Sequence, residues 1–441
     1  MTFKNIKKSL TGRPITTIVL FGILVRLLLV ALYWHVTIFP DSSDYIQLSE
    51  QLIKLDLTEH NGIRTLGYPL LLFLANNYFP TVVFIQFIIG IITSIYLYKI
   101  MLLLNFRKNI ALIVTLIVSS FIHSLFYETN ILTETLTLFF IALIFYTTLK
   151  IFFYKNTWKH LLILGFLLGY LVLIKPFYVF LPFLIYGLYT LKDFRFNRII
   201  NRTMIILVFP IIALLSCCYM NYINSGKFVS TSIYGFYSAQ NCVYYAEKGP
   251  EEYSDIINVY VKHREEVIKN EEDVAMTIWS AKEEMHEKTG LNLIELSDRL
   301  NDYGKTTIIQ NPLNYFKQVL LSWREFWKNS IYWSYESFNF KYANKACIAV
   351  WYLDSFILQI VKILFLLIIP YHLFLYIKNR KMTPEFIIVV FVFATSLMQA
   401  LVTFGTNSRY SYPFEFLMVI ALLLTFRPFI EKIIKQPLLK T

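Results

Sequence analysis

Stretches of about twenty apolar residues recur along the chain, each long enough to cross the roughly 30 Å hydrocarbon layer of a bilayer as a helix. Lipid offers the backbone no hydrogen-bond partner, so only helices or closed barrels span it, and these unbroken runs lack the alternation of barrel strands. The chain therefore reads as an all-α membrane protein. Candidate spans are 15–36, 81–104, 110–126, 133–153, 161–174, 177–191, 203–222, 350–377, 386–404 and 412–426, about ten helices in all. The fifth is short and meets the sixth at Lys175-Pro176, where the boundaries are least defined.

Charged residues make up 16% of the chain, where a soluble protein holds roughly a quarter. A formal charge of +12 would suit nucleic acid, but its placement is a topology signal instead. Lys4, Lys7, Lys8 and Arg13 precede the first span, and Arg107 and Lys108 follow the second. Lys155 and Lys159 follow the fourth span, and Lys192, Arg195, Arg198 and Arg202 the sixth. Lys378, Arg380 and Lys381 follow the eighth, and Arg427, Lys432, Lys435 and Lys440 the last. All fall on the side of the N-terminus, which the positive-inside rule assigns to the cytoplasm. The expectation is a multi-pass protein of the cell membrane with both termini cytoplasmic, an extracytoplasmic active face and no nucleic-acid partner. The polar, basic start is followed by a full-length span, so it reads as retained and not as a cleaved signal.

Three regions follow: a transmembrane module over 1–222 with its first outer loop at 38–80, a mostly helical extracytoplasmic segment over 223–349, and C-terminal transmembrane helices over 350–441. In the middle region, 251–305 is charged, with sparse apolar residues at helical spacing. Asn311-Pro312 then starts a helix, with Asn as N-cap and Pro in the first helical position. Its Leu313, Phe316, Leu320, Trp323 and Trp327, flanked by Lys317, Arg324 and Lys328, suit the headgroup layer. Cys217 and Cys218 read as small core residues, while Cys242 and Cys347 share the outer region, where pairing stays open.

Acids are scarce near the spans except in the first outer loop. It opens with Pro40-Asp41-Ser42-Ser43-Asp44-Tyr45 and closes with Arg64-Thr65-Leu66-Gly67-Tyr68-Pro69. Asp41, Ser42 or Ser43 can cap a short helix there, with Asp44 favourably placed in its first turn. A compatible, sharper reading makes Asp41 a general base whose proton affinity is raised by partial desolvation. Glu134 opens the fourth span on the same side. The helix dipole helps it, but an ionisable group at the lip of a membrane bundle is costly and points to function. Glu128 sits in a short turn where water would solvate it. Lys175, Arg409 and Arg64 are the outer cations, fit either to snorkel to lipid phosphates or to grip a phosphate leaving group. Arg26, midway along the first span, is expected to pair inside the bundle. The chain holds no Walker loop, GxGxxG, HExxH or GxSxG, and no histidine spacing of a metal site.

These residues, in this order, resemble the GT-C superfamily of polytopic glycosyltransferases. The likeness is to the group of protein O-mannosyltransferases and the bacterial aminoarabinose transferase, glycosyltransferase family thirty-nine. It rests on the Asp and Tyr opening the first outer loop, Arg64 before Gly67-Tyr68-Pro69, Glu134 and Lys175 at later outer breaks, and Arg409-Tyr410-Ser411-Tyr412-Pro413 before the last span. Many relatives carry Asp-Glu where this chain has Asp-Ser. The resemblance implies a sugar donor on a polyprenyl phosphate, with Asp41 at the catalytic position and Glu134 as a second acid. Lys175 and Arg409 would hold the lipid-linked phosphate.

The expectation is thus a hexosyl or pentosyl transferase working by inverting single displacement. Its catalytic acids are Asp41, Asp44 and Glu134, its phosphate grip is Arg64, Lys175 and Arg409, and Tyr45, Tyr68 and Tyr410 line the substrate. No cofactor is firmly implied and no metal ligand is assigned, although a divalent cation stays open. The acceptor is a protein, lipid or glycan, and membrane lipids surround the chain. An oligosaccharide polymerase or ligase using the same donors is the first rival. A flippase is the second, against which stand the missing internal repeat and the lip position of the charges.

Overall fold

The computed structural model describes residues 12–192, 200–405 and 407–429. Lys4, Lys7, Lys8, Arg195, Arg198, Lys432, Lys435 and Lys440, used in the topology argument, lie outside them. Among the described residues the fold is all-α, and extended backbone pairs only at an isolated parallel bridge between Thr37 and Asn130.

The chain order begins with α1 (Pro14–Leu32), α2 (Pro40–Ile53), α3 (Pro69–Leu74), α4 (Phe79–Leu103), α5 (Lys108–Ser119), α6 (Ile122–Tyr127), α7 (Glu134–Phe153), α8 (Trp158–Ile174), α9 (Phe180–Lys192) and α10 (Val208–Ser225). It continues with α11 (Tyr234–Gln240), α12 (Ser254–Lys269), α13 (Lys282–Thr289), α14 (Leu293–Gln310), α15 (Pro312–Phe326), α16 (Ala343–Asn379), α17 (Pro384–Val402), α18 (Ser408–Ser411) and α19 (Glu415–Thr425). All ten apolar runs are helical, and among the described residues six helices are long and apolar enough to cross a bilayer. This is a multi-pass membrane protein. The other four runs form shorter helices, and the 110–126 run divides into α5 and α6.

Burial sorts these helices. Of the apolar stretch of α7, 67% is buried, against 22% for α1, so α7 is central and α1 peripheral. Phe145, Leu168, Ile387 and Leu417 meet in the main core, whereas Leu20, Leu24, Leu27 and Leu28 of α1 stay exposed, as lipid contact requires. α16 begins at Ala343, ahead of the expected 350. Its 37 residues reach about 55 Å at 1.5 Å per residue, well beyond the apolar layer.

A second core, separate from the first, is built by α11 to α14 around Phe236, Tyr260, Ile278, Leu300 and Tyr303. Here α11 and α14 cross closely, since a Cβ on Gly235 would collide with Ser297 O. α15 starts where expected, with Asn311 in the N-cap place and Pro312 first in the helix, but the Asn311 side chain makes no cap bond and donates instead to Thr307 O and Lys248 O. Its polar Gln318 and Ser322 face inward, while Leu313, Phe316 and Leu320 are exposed. The exposed residues fit a helix lying against lipid, but Trp327 is buried in the main core with Trp323 packed against it, so the two tryptophans do not take the headgroup place expected of them. The four cysteines are free. Cys242 belongs to the second core and Cys347 to a third cluster with Tyr33 and Phe126, so the pairing left open by the sequence is not made.

Candidate active site

Two short dockings bring distant segments together at one end of the bundle. The first sets α2. Its helix begins at Pro40 with Phe39 as N-cap, so neither Asp41, Ser42 nor Ser43 takes the N-cap place expected of them. Pro40 dictates this start, because its fixed φ suits the first helical position and its missing N–H needs no partner there. Ser42 Oγ instead accepts from Phe39 N at 2.9 Å and donates to Ile131 O at 2.8 Å. With Thr37 N donating to Thr129 O and Ile131 N to Thr37 O, this seats the first turn of α2 on the turn before α7. Asp41 is thereby placed beside Glu134.

The second docking sets Arg64. Thr65 Oγ1 and Gly67 N both donate to Leu173 O, at 2.6 and 2.9 Å, and Tyr170 OH donates to Gly67 O at 2.9 Å. The approach demands glycine: a Cβ at position 67 would stand 2.5 Å from Ile174 N. Pro176 then ends α8, since a residue before proline is pushed out of the helical region, and Lys175 is extended at φ −144°.

The result is an unbroken chain of ion pairs. Arg64 Nε lies 3.0 Å from Asp44 Oδ2, and its Nη2 lies 2.7 Å from Asp41 Oδ1. Asp41 and Asp44, three apart on one helix face, are both within reach of that single guanidinium. Arg409 Nη1 is 2.8 Å from Asp41 Oδ2, its Nε is 2.8 Å from Glu134 Oε1, and Lys175 Nζ is 3.0 Å from the same oxygen. The six charged residues assigned to the site from the sequence converge here, while Arg26 and Glu128 pair elsewhere. The Asp41 side chain is 34% exposed and that of Glu134 0%, with Lys175 beyond it at 14%, so the chain is most open at Asp41 and closed at Glu134.

The aromatic frame is denser than the sequence suggested. Arg64 stacks over Tyr45 at 5.0 Å, Lys175 lies over Tyr410 at 5.3 Å, and Arg409 lies over Tyr332 at 5.7 Å. Tyr68 stands behind Tyr45, fully buried, and its hydroxyl donates to Gln86 Oε1. Tyr332 escaped sequence reasoning: it follows the tryptophans of α15 with no charge or motif to mark it. Glu134 Oε2 and the Tyr127 and Tyr178 hydroxyls are buried without a partner among the described residues. Among the described residues, no three His, Cys, Asp or Glu side chains group in the manner of a metal site.

Electrostatics revise one expectation. Burial alone would raise the proton affinity of Asp41, but Arg409 and Arg64 outweigh it and hold the carboxyl below the usual aspartate range. Burial pushes Lys175 down from the ordinary lysine value against the pull of Glu134, and pushes the Tyr45 phenol up to about 12. Glu128 needs a second revision. It is buried and not solvated, taking Arg26 Nε at 2.7 Å, which is the partner expected for Arg26 inside the bundle.

Residues 69–220 match the family model of dolichyl-phosphate-mannose-protein mannosyltransferase. Glu134 and Lys175 lie inside that stretch, while Asp41, Asp44, Arg64 and Arg409 lie outside it. The match agrees with the GT-C glycosyltransferase resemblance read from the motifs. Neither a curated protein nor a solved structure matches the chain.

Proposed function

We propose that the protein moves a hexosyl or pentosyl unit from a polyprenyl-phosphate donor to an acceptor hydroxyl at the extracytoplasmic face of the cell membrane. One observation supports this above all: three acids and three cations, scattered from Asp41 to Arg409, form one continuous ion-pair chain at a single end of the bundle. Carboxylates paired this way are poised for an anion to compete for their cations. A donor phosphate drawing Arg409 and Lys175 toward itself relieves Asp41 of one of its two guanidinium partners, and the carboxylate becomes a better base.

Asp41 then takes the proton of the acceptor hydroxyl as that oxygen attacks the anomeric carbon. The carbon–oxygen bond to phosphate breaks, and its electron pair leaves with the polyprenyl phosphate, whose charge Lys175 and Arg409 stabilise with Arg64 behind them. Attack opposite the leaving group inverts the anomeric configuration. Asp44 keeps Arg64 in register, and Asp41 gives its proton to solvent at the open end. Glu134 Oε2 and the unpartnered Tyr127 and Tyr178 hydroxyls are polar groups that sugar hydroxyls would satisfy.

The test uses purified protein in proteoliposomes with radiolabelled mannosyl-phosphoprenol and a membrane extract as acceptor. Asp41→Asn should insert normally and release no polyprenyl phosphate, and full activity in that variant overturns the base assignment. Transbilayer donor flux without bond cleavage would favour a flippase. A product carrying a block of sugars would favour a polymerase or ligase.

A further inference from the structure

Beneath the ion-pair chain lies a second, fully internal cluster. Lys362, midway along α16, is 0% exposed, and its ammonium has three acceptors for its three protons: Glu415 Oε1 at 2.8 Å, Ser411 Oγ at 3.0 Å and Lys328 O at 2.9 Å. The other oxygen of Glu415 lies 2.8 Å from His123 Nε2. His123 belongs to α6, whose first amide, Ile122 N, is held by Asp354 Oδ2 of α16 at 2.8 Å. The adjoining cavity, bounded by Arg26, Glu128, Tyr412 and Glu415, has about 40 Å³, space for about three waters and for no sugar or phosphate. Glu415 thus borders a space too small for substrate, and Lys362 and His123 are buried away from it.

They do grip the turn that presents Arg409. Ser411 Oγ, which accepts from Lys362, donates to Ser408 O at 3.0 Å, and Ser408 Oγ meets Ser330 Oγ at 2.7 Å. On the other flank, Asn407 Nδ2 donates to Ser322 O at 3.0 Å. The turn is thus fixed on both sides of Arg409, which must aim two nitrogens at two carboxylates at once. Burying the Lys362–Glu415 ion pair in an apolar bundle carries a desolvation penalty, and well-packed apolar residues of similar volume often stabilise a fold as well or better. Stability alone gives little reason for the cluster. Geometry gives one.

We infer that Lys362 and Glu415, braced by His123, are positioning residues for Arg409, setting the rotation of the 407–415 turn so that its guanidinium meets the donor phosphate. This rests on the transferase reading above. The decisive variant is Lys362→Met/Glu415→Leu, assayed with the same radiolabelled donor and followed by thermal unfolding. It should melt at or above the parent temperature, lose at least tenfold in kcat/KM for the donor, and leave the acceptor KM unchanged. Combined with Arg409→Ala, it should add nothing to the loss of Arg409→Ala alone, because the cluster acts through that side chain. Parental kcat/KM, or losses that multiply, overturn the inference. If the double variant does not insert, Lys362→Met/Glu415→Gln, which also removes both charges, is read by the same loss of donor kcat/KM and the same lack of added loss with Arg409→Ala. Transbilayer donor flux through the parent protein with no release of polyprenyl phosphate would instead remove the transferase reading, and this inference with it.

Discussion

Arg409 Nη1 lies 2.8 Å from Asp41 Oδ2, although 368 residues separate the two in sequence. The same guanidinium directs Nε to Glu134 Oε1, so one side chain joins a half-buried acid to a fully buried one. A lysine has a single ammonium on a flexible stem and cannot reproduce that fork. Arg409→Lys is expected to lower donor kcat/KM by about 10²–10³, the range for losing one preorganised donor at developing charge. The steady-state assay on released polyprenyl phosphate measures this, and a change below threefold would mean that the fork is not used.

Gly67→Ala should act at a distance. The new methyl would stand 2.5 Å from both Ile174 N and Leu173 C, main-chain atoms that cannot swing aside. Relief requires the 64–67 segment to retreat from the end of α8, carrying Arg64 away from Asp41 and Asp44. Overpacking of this kind costs about 1–3 kcal/mol of stability. Donor turnover should fall at least tenfold, and a crosslink between cysteines placed at positions 65 and 173 should form more slowly. Unchanged turnover would show that the register of this contact does not matter.

How much of this was legible beforehand follows from the cost of charge in an apolar sequence. A lysine at a proline break or an arginine between two spans stands out because lipid penalises it, which is why Lys175, Arg409 and Glu134 could be chosen. Their sidedness followed from the order of spans. Glu128 shows the limit: its neighbours spell a solvated turn, and only the close passage of α4 at Gly90, where a Cβ would strike Glu128 Oε1, lets it turn inward to Arg26. The proton affinity of Asp41 departs from the sequence expectation for a related reason. Burial is visible in a sequence pattern, but two guanidinium groups arriving from positions 64 and 409 are not.

The Arg26–Glu128 pair invites a test of stability alone. Both side chains are 6% exposed and sit among apolar helices, so removing one partner strands the other's charge. Arg26→Met should destabilise by about 3–5 kcal/mol, the usual loss when a buried pair is broken from one side. Arg26→Met/Glu128→Leu should recover most of that loss. Thermal unfolding in detergent of the two singles and the double gives the comparison, and a double variant no better than Arg26→Met would show that the pair does more than neutralise itself.

His60 gives the first outer loop a defined acid sensitivity. Burial beside Asn221 pushes its imidazole down to about 4, whereas an unfolded chain keeps the ordinary value of about 6.5. The sign follows from proton counting. Above pH 6.5 neither state binds the proton. Between 6.5 and 4 the unfolded chain takes it up and the folded one does not, so stability is full above that window and drains away as pH falls through it. The limiting slope is about 1.4 kcal/mol per pH unit. Asp41, held low by its arginines, adds a loss of the same sign only below the ordinary aspartate range, outside this window. Melting temperatures at pH 7 and pH 4.5 should therefore separate more for the parent than for His60→Gln, whose side chain does not titrate. Equal separations would mean that the His60 imidazole gains its proton as readily in the folded protein as in the unfolded chain.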